Sequence, residues 1–112
     1  MHEFADIERR IEHVRSLALR ECDDVRLLAE IGDVLNRGYE AALQAEGRCR
    51  RLEDRIEQLM VDGDPSGRTA ELVCERRTTA QAARRMRDRL ARLQAEFAQV
   101  SARVHGASAA PS

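Results

Sequence analysis

Lysine is absent, and all 19 basic residues are Arg. Tryptophan is absent too, and one Tyr and two Phe are the only aromatic residues. Aromatic rings supply much of the buried area in an ordinary compact core, so a thick globular core is excluded. Proline occurs only at Pro65 and Pro111, which leaves two long stretches free of the strongest helix breaker. Uninterrupted apolar runs are only a few residues long, too short to cross a membrane. The opening Met1-His2-Glu3-Phe4-Ala5-Asp6 lacks the basic and apolar regions of an export signal, so a cytoplasmic location is expected. Cys22, Cys49 and Cys74 are odd in number and widely spaced, and they match neither a disulfide framework nor a metal-binding pattern. Lys and Asn use AT-rich codons. With no Lys and with Asn36 as the only Asn, a GC-rich and most simply bacterial genome is expected.

What is present is charge and helical periodicity. Of the 112 residues, 35% are charged, against about a quarter in an average domain, and 43% are hydrophobic. The segment Asp62-Gly63-Asp64-Pro65-Ser66-Gly67-Arg68-Thr69 is a strong break, with two Gly, one Pro and two Asp close to it in sequence. After it, Leu72, Arg76, Thr79, Ala83, Met86, Leu90, Leu93, Phe97, Val100 and Val104 recur at alternating spacings of three and four. Before it, Leu28, Ile31, Leu35, Gly38, Ala42, Ala45, Cys49, Leu52, Ile56 and Leu59 do the same. Such spacing is the seam of a coiled coil. Folded back at the turn, the two seams match layer for layer. Small residues then face large ones: Gly38 opposite Leu93, Ala42 opposite Leu90, Ala45 opposite Met86.

The expected fold is therefore all-α, a long antiparallel helical hairpin resembling a coiled coil. One domain spans residues 1–106, with a helix over about 3–62, a turn at 62–69 and a helix over about 69–105. Residues 107–112 form a flexible tail. The second helix runs out opposite Leu28, and the first continues toward the N-terminus with its own stripe of Phe4, Ile7, Ile11, Val14, Ala18 and Val25. Leaving Phe4, Ile7, Ile11 and Val14 in water would forfeit about 1.5–3 kcal/mol each. They are expected to form the oligomer or partner interface of an extended arm, which self-associates into a helical bundle, a homodimer being the simplest form. Gly32 and Gly38 each cost about 1 kcal/mol inside a helix. A corner at Asn36-Arg37-Gly38-Tyr39 would instead give three helices in one bundle, but no good N-cap follows Gly38, so a continuous first helix is expected.

Residues 1–64 carry 16 acidic groups against 10 Arg, whereas residues 65–112 carry 4 against 9. Opposite charge favours pairing of the two arms. Arg85, Arg89 and Arg92 share one side of the second helix and form a candidate face for an anionic partner. A net charge of −1 and the lack of interleaved aromatics argue against nucleic acid as that partner. Asp62 and Asp64 form a candidate acidic tip. In outline, a hairpin with two tip carboxylates resembles the N-terminal coiled coil of bacterial factors that enter the RNA polymerase secondary channel and hold a metal there. The resemblance covers the shape and these two residues. His2, His13 and His105 are scattered, and no nucleophile–base pair or phosphate loop is visible.

No catalytic, cofactor-binding or metal-binding residue is therefore expected. The expected function is that of a non-enzymatic interaction protein, an adaptor, scaffold or small chaperone that presents apolar helix faces to itself or to a helical protein. Small acidic helical chaperones of bacterial specialised secretion systems are similar in size and architecture. The alternative is a regulator that binds nucleic acid or RNA polymerase through the Arg-rich helix or the acidic turn.

Overall fold

The computed structural model describes residues 2–19 and 23–109. The chain is all-helical, with α1 over His2–Leu19, α2 over Asp24–Asp62 and α3 over Thr69–Ala109. There is no strand among the described residues. The radius of gyration is 19.7 Å and the principal extents are 74 × 25 × 15 Å. A compact chain of this length would have a radius near 13 Å, so the two long helices set the shape.

The continuous helix expected over 3–62 is not formed. The helix divides between Leu19 and Asp24, well before the Gly32–Gly38 region, and α2 runs through both of those glycines. Asp23 supplies the physical reason. Its side chain accepts a hydrogen bond from the Val25 amide at 3.2 Å, and its carbonyl accepts the first bond of the helix, from Leu27 N at 2.9 Å. An Asp at this position satisfies amides that a new helix leaves unpaired, and Asp24 adds a favourable charge in the first turn. At the other end, α3 continues to Ala109, beyond the stop expected at His105–Gly106. Residues 110–112 of the expected tail and Cys22 lie outside the described residues, as do the side chains of Val104 and His105.

The division lets α1 fold back antiparallel to α2. Arg10 binds Asp33 at 2.7 Å and approaches Glu30 at 3.9 Å. α1 runs parallel to α3, with Glu8 beside Arg89 at 3.8 Å and Arg15 beside Glu96 at 3.4 Å. Phe4, Ile7, Ile11 and Val14, expected to be an exposed interface, are buried in the chain's own core with Leu27, Ile31, Val34, Met86, Leu90 and Leu93. Their burial follows from the transfer energy that made an exposed arm costly, met here by an intramolecular partner.

The sequence of α2 shows how much of it α1 covers. Leu27-Leu28, Val34-Leu35 and Ala41-Ala42 are apolar doublets seven residues apart. Adjacent helical residues point about 100° apart, so a doublet covers a face too wide for one neighbouring helix. The first member of each doublet, Leu27, Val34 and Ala41, is buried. At the next two repeats the equivalent positions are Arg48 and Arg55, both exposed. Burying a charge is costly, and α1 covers the edge only as far as Ala41. The molecule is therefore a three-helix base continued by a two-helix half that leads to the turn.

α2 and α3 run antiparallel. Asp24 meets Arg103 at 3.9 Å, Tyr39 donates to Gln94 Oε1 at 2.7 Å, and Arg76 meets Glu53 at 2.8 Å. Arg87 makes a bidentate pair with Glu46, both bonds at 2.6 Å, and holds its carboxyl below the ordinary carboxylate range. The Arg87 guanidinium also lies 5.9 Å above the Tyr39 ring. The register differs from the expected one, since the side chain against Gly38 is Leu90 and not Leu93. A Cβ at Gly38 would clash with Leu90 Cδ2 and lie 2.9 Å from Cδ1. Shifting a three-four seam by one step keeps apolar opposite apolar, so volume decides, and the missing side chain of Gly38 admits Leu90.

Two stability measurements test this packing. Ile11 is fully buried, so Ile11→Ala is expected to cost about 2–5 kcal/mol in urea unfolding. Val25, from the same expected stripe, is 64% exposed, and Val25→Ala is expected to change stability by no more than about 0.5 kcal/mol. The glycines should also diverge. Nothing lies within 4 Å of a Cβ at Gly32, so Gly32→Ala is expected to stabilise by about 1 kcal/mol through helix propensity. Gly38→Ala is expected to destabilise by about 1–3 kcal/mol, because Leu90 is fully buried and has no room to move.

Candidate interaction surfaces

The expected interface residues separate into two groups. Phe4, Ile7, Ile11 and Val14 are in the core and unavailable to a partner. Ala18 and Val25 are exposed at the end of the base where α1 stops and α2 starts. Two side chains cannot replace the stripe, and the case for docking through an N-terminal arm goes with it.

The turn treats its two carboxylates differently. Asp62 is the last residue of α2 and is exposed. Asp64 accepts from Arg68 N and Thr69 N, each at 2.9 Å, and its carbonyl accepts from Gly67 N at 3.2 Å. These bonds serve amides at the start of α3 that no helical carbonyl can reach. Gly67 sits at φ +68° and Gly63 at φ +91°, a backbone region that L side chains rarely adopt, so glycine makes both corners of the turn accessible. The Thr69 amide, then the Thr69 hydroxyl and the Arg68 amide, hold the Asp64 carboxyl below its ordinary value. Asp64 is thus occupied in closing the turn. Among the described residues, no group of three or more His, Cys, Asp or Glu is placed to hold a metal ion.

The Arg cluster also separates. Arg89 lies between α1 and α3 beside Glu8, and Arg87 is held by Glu46. Arg85 and Arg92 are exposed, as are Arg77 and Arg84 farther round the same helix. None of these four makes an ion pair among the described residues. The expected face of Arg85, Arg89 and Arg92 is therefore drawn differently, without Arg89 and with Arg77 and Arg84. Arg15 shows how tightly the α1–α3 contact is closed. Its Nε is shielded from water without a hydrogen bond, and Glu96 faces it in ionic contact only.

Beyond the N-terminal end of α1, the trough it occupies continues along α2 and α3. A groove of about 630 Å³ opens beyond Phe4, with Ala41, Ala45 and Thr79 among its lining and Arg48 and Glu75 paired across it. A second groove of about 670 Å³ lies against Leu43, Cys49, Ala83 and Arg84. In the two-helix half, Leu52, Ile56 and Leu59 are only half-buried, although they continue the seam. Met60 and Val61 are 76% and 80% exposed. The apolar surface that remains open is thus concentrated toward the turn. Sequence reading missed it because Leu52, Ile56 and Leu59 fit the seam pattern and periodicity does not report how many helices cover a seam, while Met60 and Val61 lie off that pattern.

No known protein family matches the chain, and neither a curated protein nor a solved structure matches it. No helix among the described residues is long and apolar enough to cross a membrane.

The two turn carboxylates provide a test. Asp64→Ala is expected to lower the melting temperature at neutral pH, while Asp62→Ala leaves it unchanged. The folded Asp64 carboxyl titrates below its ordinary value of 3.8. Its stabilisation is therefore fully present above that value and is lost as pH falls through the folded pKa. Melts of Asp64→Ala and the parent chain should converge at acid pH. A constant difference down to the lowest pH would mean that ionised Asp64 does not hold the turn.

Proposed function

We propose that this chain is a non-enzymatic protein-interaction module of the adaptor, scaffold or small-chaperone kind, working through its two-helix half. The observation that carries this reading is the exposure of Met60 and Val61 next to the half-covered seam residues Leu52, Ile56 and Leu59. An exposed apolar patch on a helical surface is the usual mark of a docking site. The three-helix base gives α2 and α3 a rigid origin, and the outer half extends from it as a coiled-coil-like hairpin. A helix from a second copy in a homodimer, or from a helical protein partner, would cover the seam from the Met60 flank, away from Arg48 and Arg55.

The reading as a regulator of nucleic acid or RNA polymerase has less support. Asp64 is engaged by backbone amides, and Arg89 is engaged by Glu8. Two of the groups that reading needs are already in use within the chain.

The test is a Met60→Glu/Val61→Glu double variant of the full chain. Both residues face solvent, so helix content should match the parent by circular dichroism. Sedimentation over a range of concentrations reads self-association, and affinity capture from the native host reads partner binding. The variant is expected to lose the association that the parent shows. Identical mass and an identical set of captured proteins would place the working surface elsewhere.

A further inference from the structure

We propose that the outward face of α3 is a second docking surface, whose partner is an acidic α-helical segment of another protein. The inference rests on the reading of the chain as an interaction protein, but it uses a surface distinct from Met60 and Val61. Arg77, Arg84, Arg85 and Arg92 are all exposed and make no ion pair among the described residues. Arg77 and Arg84 stand seven residues apart, as do Arg85 and Arg92, so they form two rows about 80° apart that flank the outward face of the helix over a length of about 22 Å.

The other Arg residues of α3 do not share this condition. Arg76 meets Glu53, Arg87 meets Glu46, Arg89 meets Glu8 and Arg103 meets Asp24. The chain thus neutralises the cations that turn toward α1 and α2, and it leaves four along the outside. Repulsion within such a row is relieved by carboxylates from elsewhere. The seven-residue interval is the repeat of helices packed side by side, so a partner helix lying between the two rows, with carboxylates one heptad apart on both of its flanks, would meet Arg77 and Arg84 on one side and Arg85 and Arg92 on the other. Exposed Ala91 and Ala95 and the absence of any bulky apolar side chain on the ridge permit a close approach.

The same features disfavour a nucleic acid. Asp88 lies within the ridge, where it would repel a continuous row of phosphates, whereas a helical partner need only place a neutral residue or a cation there. The aromatic residues that could stack on bases lie elsewhere: Phe4 is in the core, and Tyr39 and Phe97 pack against it.

Two synthetic helical peptides of identical composition test the proposal. One carries Glu on a single face at seven- and eight-residue intervals, and the other has the same residues scrambled. Each is titrated into the full chain by fluorescence anisotropy, beside a DNA duplex of similar length. The single-face peptide is expected to bind about tenfold or more tightly than the scrambled one, with affinity falling as salt is raised. R84E/R85E/R92E is expected to weaken that binding about tenfold or more with helix content unchanged, and R84Q/R85Q/R92Q repeats the measurement without introducing acids. Met60→Glu/Val61→Glu should bind the peptide as the parent does, which separates this surface from the two-helix end. Equal binding of the two peptides, equal or tighter binding of the duplex, unchanged binding by the Arg variants, or no binding would each overturn the proposal.

Discussion

The contact between α1 and the edge of α2 formed by Leu27, Val34 and Ala41 determines the rest of the arrangement. It covers Phe4, Ile7, Ile11 and Val14, the residues that would be most costly to leave in water. It also fixes where the molecule changes character. Along that edge the apolar repeat gives way to Arg48 and Arg55, and the cover supplied by α1 reaches only to the transition. A base with three helices encloses its core from all sides, whereas in the two-helix half Cys49, Leu72 and Thr79 are buried but other seam residues stay half-open. Ile11, Leu90 and Leu93 are accordingly fully buried, while Leu52, Ile56 and Leu59 are not.

The electrostatics follow the same division. An acidic first half and a basic second half create an excess of opposite charges where α1, α2 and α3 meet, and the inward Arg residues find carboxylates there. Most of these pairs are substantially exposed, so each contributes modestly to stability and more to fixing which helix lies beside which. The Arg87–Glu46 pair combines two short bonds with a cation over Tyr39, on the side of the α2–α3 contact away from α1. It marks the junction between the three-helix base and the two-helix half.

On the reading proposed above, function resides in surface left uncovered. The described residues present no cluster of metal-binding side chains, and the carboxylate of Asp64 serves the backbone. Two regions stand out as incomplete: the apolar end near Met60 and Val61, and the unpaired cations on the outer face of α3. They differ in chemistry and location, so on the proposed reading they would serve two partners, one through apolar packing and one through charge.

The sequence by itself determined that the chain is helical, because spacings of three and four residues continue over most of its length and only Asp62–Thr69 carries a strong break. It also determined that Phe4, Ile7, Ile11 and Val14 need cover. It did not determine what covers them. A helical period is the same whether the neighbour belongs to the same chain or another, and the gap in the stripe between Ala18 and Val25 reads equally as a change of partner or as a turn. Two signals pointed to the intramolecular answer: Asp23 as an N-cap, and the doublets of α2 that end at Ala41-Ala42. Tertiary structure also decided the register, since a periodic seam is compatible with several alignments. Only three-dimensional volume, the space above Gly38 filled by Leu90, selects among them. It likewise decided that Arg89 turns inward to Glu8 while Arg85 and Arg92 stay outside, because neighbouring positions on one helical side acquire different surroundings once a third helix packs along part of it.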